Sequence, residues 1–269
     1  MKIKADLHVH SMYSKPVRYD WENGVKDSTP EKILEYAFNK SKLDVIAVTD
    51  TNRDLFFNEV VNHPEEYLPK NVKLAEANNE IALFEKSSVF GKRKLYLLRG
   101  IEHSDKQKGN LIQIGGKSQI KPHSTLSLKE KIGYAHYNHA IIGVPHPFHK
   151  ELGGIGEKRL EKITKDIYFV EVFDSINKRE YDEKALKFAE ENNLTGISGS
   201  NEYNSKPGRT YTILNVKLTG SLSERADSIK NAIKNNKIKG HCQKSIGFFE
   251  SLYVFALKDA LLFNSAEKK

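Results

Sequence analysis

Short apolar segments alternate with amphipathic segments along most of the chain, and this alternation limits the folds that the chain can adopt. The apolar runs are rich in β-branched residues and have the length of buried strands, whereas the amphipathic runs have helical periodicity. The predicted strands are 2–9, 44–50, 94–102, 110–116, 140–146, 167–174, 195–201 and 210–218, and the predicted helices are 28–42, 182–193 and 223–236. The pattern is typical of an α/β protein with a parallel sheet, open or closed into a barrel.

No long linker rich in Pro, Gly or Ser divides the chain, so we expect one domain. We assign residues 1–218 to the barrel and expect 219–269 to pack on it as a helical C-terminal segment. Within that segment, an apolar-faced helix over 247–263 is predicted to close the barrel, cap its end or form a homo-oligomer contact. Residues 54–88 are mostly polar and are predicted to be helical in part.

The composition excludes several classes of protein. No run of about 18 apolar residues is present, so no membrane span is expected. The first residues contain no apolar segment of the kind found in signal peptides, and a single cysteine, Cys242, cannot form an internal disulfide. These features predict a cytoplasmic protein. The net charge of +8 comes mainly from scattered lysines, which favours solvated helix faces over a nucleic-acid footprint.

The N-terminal segment ADLHVHS places two histidines, His8 and His10, on one predicted strand. Alternate side chains of a strand point to one face, so His8 and His10 should project together with Asp6. Two imidazoles held in a fixed geometry by one strand can provide two of the ligands of a metal site. Histidines that face solvent from a half-buried strand are the equally weighted alternative.

Polar or metal-binding side chains occur at the ends of nearly all the predicted strands. In a parallel sheet these ends converge on one face, where ligand sites are usually built. The residues concerned are His8, His10, Asp50, Glu102, His103, Asn110, His146, Asp174 and the stretch 200–203.

Several motifs together resemble the PHP (polymerase and histidinol phosphatase) domain family. They are ADLHVHS, DVIAVTDTN, LRGIEHS, VPHPF, VEVFDS, SGSNEYN and GRTYT, which span residues 1–218 in the family's order. The resemblance implies a distorted (β/α)7 TIM-like barrel of the PHP type. It also implies up to three divalent metal ions at the C-terminal face and the hydrolysis of phosphate esters.

The resemblance carries four metal ligands over intact: His8, His10, Glu102 and His146. At other ligand positions the residue type is changed, since the chain has Thr51 and Tyr203 where histidines are usual, Asn201 for an aspartate, and Asn110 for a further histidine. The amide oxygen of Asn201 is retained as a fifth candidate ligand. One or two divalent ions (Zn, Mn or Fe) are therefore expected, and three are not.

Two further residues receive functional hypotheses. Arg209, in PGRTYT, could bind a substrate phosphate, because a guanidinium recognises phosphate bidentately, or it could form a surface ion pair. Asp50 could act as a general base, orient a ligand histidine, or only cap the turn after its strand.

The remaining histidines are given structural or surface interpretations. His136 and His139 are expected to be structural or exposed, and His63, His123 and His241 to lie in polar surroundings without partners. His103 or His149, which neighbour intact ligands, could replace a lost one.

These observations predict a metal-dependent phosphoesterase-type hydrolase with a reduced site. A phosphorylated small molecule or a nucleotide is the expected substrate, and nucleic acid is a second class of partner. The alternative is a PHP-fold protein without catalytic activity that serves as a binding or scaffold module, in association with RNA.

Overall fold

The chain forms an α/β fold in a computed structural model that describes residues 1–14, 26–88, 91–104, 109–116, 126–201, 203–244 and 252–255. The strands are β1 (Lys2–Val9), β2 (Val45–Val48), β3 (Val72–Ala77), β4 (Ile81–Ser88), β5 (Gly91–His103), β6 (Leu111–Ile114), β7 (Ile141–Val144), β8 (Phe169–Asp174), β9 (Thr195–Gly199), β10 (Thr210–Asn215), β11 (Ile238–Lys244) and β12 (Leu252–Phe255). The helices are α1 (Pro30–Tyr36), α2 (Phe56–Asn62), α3 (Pro64–Tyr67), α4 (Leu128–Tyr137), α5 (Glu157–Ile163), α6 (Arg179–Glu191) and α7 (Leu222–Lys234). A π-helical turn, Ala37–Ser41, extends α1.

The strands form one sheet that curls into a nearly closed, TIM-like barrel. Its order is β12-β11-β10-β1-β2-β5-β6-β7-β8-β9, and β3 and β4 form a hairpin beside β5. The curl closes where its last strand, β9, meets β1, because the backbone N–H of Asn201, after β9, donates to the carbonyl of His8 at 2.7 Å. The backbone N–H of Ser198 also donates to the hydroxyl of Thr212 on β10 at 2.7 Å. The predicted α/β barrel is confirmed.

The sheet is mixed, so the expectation of a purely parallel sheet is wrong. β1, β2 and β5 are parallel, as are β7, β8 and β9, but β6 is antiparallel to both of its neighbours. Few residues separate β5 from β6, and parallel neighbours need a longer crossover. Because β6 runs in reverse, its first residues lie at the same rim as the last residues of the parallel strands. This reversal brings Asn110 close to Glu102.

The predicted strands are all present, but the sequence interpretation missed the hairpin β3–β4, which occupies part of the segment predicted as polar and partly helical. The predicted helix over 247–263 is also wrong where it can be tested. Leu252–Phe255 is a strand that pairs antiparallel with β11, because a short apolar run rich in β-branched and aromatic residues suits either structure. The rest of the predicted helix lies outside the described residues.

Apolar side chains fill the part of the barrel below the polar rim. Ile3, Leu7, Ile112, Phe169 and Ile197 belong to one buried cluster that packs against α7. Burying each such side chain stabilises the fold by about 1.5–3 kcal/mol relative to exposure, so the strands that carry the rim residues are held firmly. Among the helices of the described ranges, none has both the length and the apolar character required to cross a membrane.

Candidate metal centre

His8 and His10 lie side by side at the end of β1. Their Nε2 atoms are 3.1 Å apart, and both residues are fully buried. The pairing of β1 with β2 shifts register between Asp6 and Val9. The carboxylate of Asp6 instead accepts hydrogen bonds from Ser200 and Gly208. The predicted common projection therefore holds for the two histidines and not for Asp6.

Glu102, on β5, faces these histidines across the rim. Its Oε2 lies 3.8 Å from His10 Nε2, and its Oε1 lies 3.3 Å from His146 Nε2. The rings of His8 and His146 are 5.6 Å apart between centroids. The structure thus brings the four residues His8, His10, Glu102 and His146 together, although they come from the end of β1, from β5 and from the loop after β7.

A chain of hydrogen bonds fixes the protonation of His10. The hydroxyl of Thr51 donates to Glu102 Oε2 at 2.9 Å, because a carboxylate can only accept. Thr51 Oγ1 then accepts from Ser14 Oγ at 3.1 Å, so the ring of His10 must donate from Nδ1 to Ser14 Oγ, also at 3.1 Å. The Nε2 atom of His10 is consequently left with a lone pair.

Glu171, on β8, fixes His8 in the same way. Its carboxylate oxygens lie 3.0 and 3.1 Å from His8 Nδ1, and its Oε2 also accepts the backbone N–H of His146 at 3.0 Å. A ligand histidine commonly donates its second N–H to a carboxylate in this manner. When Glu171 is ionised, His8 donates from Nδ1, and its Nε2 atom presents a lone pair toward His10. The sequence interpretation missed Glu171, although an acid inside the apolar run IYFVEVFD was a signal.

Asp174 and Asn201 complete the polar rim beside His8. The amide nitrogen of Asn201 donates to Asp174 Oδ2 at 2.9 Å. This bond leaves the amide oxygen of Asn201, which is buried, without a hydrogen-bond partner. The Nδ1 atom of His146 is buried and unpartnered as well. Two groups of ligand atoms lie within 4.8 Å of one another, namely His8, His10 and Glu102, and His8, His146, Glu171 and Asp174.

Burial favours the neutral forms of two acids of the rim and of His10. Burial raises the pKa of Glu171 to about 8 and that of Asp174 to about 7. Burial also lowers the pKa of His10 to about 3, although the charge of Glu102 acts in the opposite direction. Burial alone would raise the pKa of Glu102, but the hydrogen bond from His146 and the nearby histidines hold it below its usual range.

A divalent cation fits this donor set. Two nitrogens that bind one tetrahedral Zn²⁺ at about 2.0–2.1 Å lie roughly 3.3 Å apart, close to the separation of the two Nε2 atoms. Imidazole nitrogens, a carboxylate and an amide oxygen suit Zn, Mn or Fe. The buried amide oxygen of Asn201, which has no hydrogen-bond partner, is available as a further neutral ligand.

Tyr203 and Asn110, at two of the substituted ligand positions, have different structural roles. Tyr203 stacks on His10, with ring centroids 4.2 Å apart, and so forms a wall of the site. Asn110 donates its amide N–H to Glu102 Oε1 at 2.8 Å, while its oxygen lies where a side chain on Gly153 would be. Asn110 therefore orients Glu102 and does not offer an oxygen to the centre.

Asp50 lies next to the ligand cluster, and Arg209 follows the loop after β9; neither belongs to the grouped ligand atoms. Both carboxylate oxygens of Asp50 bind Ser11, one through its backbone N–H at 2.6 Å and one through its hydroxyl at 2.5 Å. Burial raises the pKa of Asp50 to about 7. The backbone N–H of Arg209 donates to Ser200 Oγ at 3.0 Å, and the residue is half-buried.

The other histidines lie elsewhere. His103 is buried against Gln113, with 3.2 Å between His103 Nε2 and the amide oxygen, and His149 contacts Asn177 at 2.8 Å. His63, His136 and His139 are exposed. The prediction for His241 is wrong: the residue is buried, and its Nδ1 lies 2.6 Å from the Ser198 hydroxyl. His123 lies outside the described residues.

Comparison with known proteins gives structural matches only. No protein-family model and no curated protein sequence matches the chain. PsfC from Pseudomonas syringae superposes with a TM-score of 0.58 at 15% identity, over 85% of this chain and 88% of PsfC. Endonuclease Q in complex with a 27-mer duplex that carries an abasic lesion at the active site gives 0.56 at 21% identity, over 98% of this chain and 67% of the endonuclease.

The lesion-specific endonuclease of Pyrococcus furiosus is similar to the same degree. It superposes with a TM-score of 0.55 at 20% identity, over 98% of this chain and 66% of its own. The chain thus spans about two thirds of the length of these endonucleases. The chain shares their fold. At such identities the likeness shows a common fold and nothing about the reaction.

Proposed function

We propose that the chain is a metal-dependent phosphoric ester hydrolase of the PHP type with a reduced metal site. The observation that carries the proposal is the pair of buried imidazole nitrogens, His8 Nε2 and His10 Nε2, which face each other at 3.1 Å with their second nitrogens committed elsewhere. When Glu171 is ionised, both Nε2 atoms present lone pairs, and a cation bound by both would relieve the repulsion between them. Glu102 supplies the negative charge beside that position.

One divalent ion would be held by His8, His10 and Glu102, with the Asn201 oxygen as a further ligand. Any second ion would depend on His146 and the acids Glu171 and Asp174 near it. When bound, a divalent cation supplies Lewis acidity and makes water a better nucleophile at neutral pH. We propose one ion as the working state, since Glu171 is engaged in orienting His8.

The chain's own residues position the reacting groups and exclude bulk water. Of the roles predicted for Asp50, we propose the positioning one, because its carboxylate is fully engaged in holding Ser11 next to His10. We retain Arg209 as the phosphate-binding residue. It follows the loop whose Tyr203 forms the wall of the site.

The substrate class is a phosphate ester, either a nucleotide or another phosphorylated molecule. The structurally similar endonuclease Q binds a DNA duplex with an abasic lesion at its active site, which supports a phosphodiester as substrate. We propose the cytoplasm as the place of action, because the one cysteine, Cys242, is buried as a free thiol.

Metal content and hydrolysis test the proposal together. Protein purified without chelator is expected to carry about one equivalent of Zn, Mn or Fe and to hydrolyse p-nitrophenyl phosphate with that metal. His8→Ala and Glu102→Gln should lose both properties, whereas His136→Ala, a change to an exposed histidine, should retain both. A protein with no metal and no hydrolysis, which nevertheless binds RNA stoichiometrically, would replace this proposal with the scaffold alternative.

A further inference from the structure

A surface groove of about 330 Å³ lies against the loop that follows β9, the loop whose Tyr203 stacks on His10. One wall is formed by Lys32, Tyr36 and Lys40, from α1 and the turn that extends it. The other wall is formed by Asn204 and Lys206, from the loop after β9. The groove thus combines two segments that are far apart in the sequence.

The groove is positively charged. Lys32, Lys40 and Lys206 are exposed, and Glu35 is the acid among the lining residues. Lys86 adds a fourth ammonium group at the border, because its Nζ donates to the side chain of Asn39 at 2.5 Å. Lys32 lies 3.8 Å from the exposed Asp27, which offsets part of this positive charge. Lysines that are scattered in sequence are therefore gathered by the fold.

The wall of the groove and the wall of the metal centre are parts of one hydrogen-bonded loop. Ser28 Oγ donates to the carbonyl of Tyr203 at 2.5 Å, and it accepts the backbone N–H of Ser205 at 3.1 Å. Tyr203 stacks on His10, and Asn204 directly follows it. A ligand in the groove consequently lies against the same loop that covers the candidate ligand His10.

The chemistry of the groove fits a linear polyanion. Lysines on flexible stems contact phosphates as point charges and do not read sequence, which is how proteins hold a nucleic-acid backbone. Tyr36 is partly exposed and offers a ring on which a base can stack. We propose that this groove binds the phosphodiester backbone of a nucleic-acid strand and leads it to the metal centre. That the strand is led to the metal centre rests on the proposed function, whereas its binding in the groove does not.

Binding of a fluorescein-labelled 20-nucleotide DNA strand tests the inference. Fluorescence anisotropy would be measured on the full chain with chelator present, so that the result does not depend on hydrolysis. The triple variant Lys32→Gln, Lys40→Gln, Lys206→Gln is expected to bind at least about tenfold more weakly at low salt. The slope of log affinity against log salt should decrease in magnitude by roughly 2–3, about one unit per lost phosphate contact.

A matched variant controls for net charge. Lys158→Gln, Lys162→Gln, Lys165→Gln removes the same charge from exposed positions on and just after α5, and it should bind DNA within about twofold of the wild type. Equal weakening by both triple variants, or by neither, would overturn the proposal. Hydrolysis of p-nitrophenyl phosphate with added metal is expected to persist in both variants. If the wild type does not hydrolyse this substrate, the proposed hydrolase function is contradicted, but the proposal that the groove binds nucleic acid is unaffected.

Discussion

Two buried clusters of charged side chains, at the metal centre and at Glu80, balance their charge in different ways. Glu80 accepts hydrogen bonds from Lys230 Nζ at 2.5 Å and from the backbone N–H of Gly116 at 2.9 Å. Lys230 in turn contacts Asp227 and the carbonyl of His139. In the metal centre, Glu102, Glu171 and Asp174 have no Lys or Arg partner within the described residues, and only histidines, amides and hydroxyls surround them.

The difference is that a cationic side chain balances the acid of one cluster, whereas none does so for the other cluster within the described residues. A buried charge is costly unless it is paired, so a stable fold normally brings in a counter-charge, as Lys230 does for Glu80. The metal centre keeps three buried acids and several unpartnered polar atoms without a cationic side chain. An external cation would satisfy what the chain does not.

The largest effect is expected for the ligand Glu102. In wild-type protein saturated with metal at about 1,000 times its dissociation constant, chelation should lower the free energy of unfolding by about 4 kcal/mol. Glu102→Gln should abolish this sensitivity to chelator. Urea unfolding with and without chelator measures it, and an unchanged wild-type midpoint after chelation would mean that the cluster does not bind metal.

The next largest effect should occur at the paired cluster. Lys230→Met leaves Glu80 buried without its counter-charge and is expected to destabilise the fold by about 3–5 kcal/mol, with metal content unchanged. Lys187→Met breaks the exposed pair with Glu191 and should change stability by less than about 1 kcal/mol. Loss of metal in Lys230→Met at temperatures where it stays folded would show that the two clusters are not independent.

The sequence predicted that His8, His10, Glu102 and His146 lie close together, whereas it did not predict the pairing of Glu80 with Lys230, for physical reasons. His8 and His10 share a strand, and strand periodicity alone places them together. Glu102 and His146 follow apolar runs whose ends meet at one rim. The pairing of Glu80 with Lys230 joins β4 and its vicinity to α7 over a long sequence separation, and no local pattern encodes it. β3 and β4 were missed for a related reason, since β3 is largely exposed and has little apolar alternation.

Glu171 and His241 show that sequence patterns also fail to predict the surroundings of single buried polar residues. Glu171 was overlooked because periodicity says which face a side chain occupies and not which imidazole it meets. His241 was taken for a surface residue because its neighbours in sequence are polar, whereas its environment comes from Ser198 and Phe173 on other strands. Partners that are distant in sequence decide the role of a buried polar residue.

The pH dependence of stability should report the raised pKa values of Glu171 and Asp174. The folded-state pKa values of Glu171 and Asp174, about 8 and about 7, lie above the ordinary values of 4.5 and 3.8. The folded state therefore holds protons more tightly, and stability falls as the pH rises through this interval. With chelator present, the free energy of unfolding should decrease by on the order of 2 kcal/mol between pH 6 and pH 8.

Saturating metal should reverse this trend, because a cation stabilises the ionised carboxylates. Glu171→Gln should reduce the slope of the profile of the chelated protein without abolishing it, because Asp174 and Asp50, whose pKa values are both raised to about 7, still titrate in this range. Urea unfolding across the pH range provides the measurement, and a chelated protein that becomes more stable toward pH 8 would contradict the assignment of the two acids.

The smallest effect is expected at Thr51, which substitutes hydrogen bonding for direct ligation. Its hydroxyl joins Glu102 to Ser14 and thereby sets the proton on His10 Nδ1. Thr51→Val keeps the shape but breaks this chain, and it should weaken metal binding by about 10-fold, or roughly 1.4 kcal/mol, as for other residues that orient ligands. Thr51→Ser retains the hydroxyl and should bind metal as the wild type does. Titration with Co²⁺, followed by its visible absorption, compares the three proteins without reference to catalysis. Equal affinities for all three would show that His10 adopts its ligand tautomer without help from Thr51, and that the metal centre needs only its direct ligands.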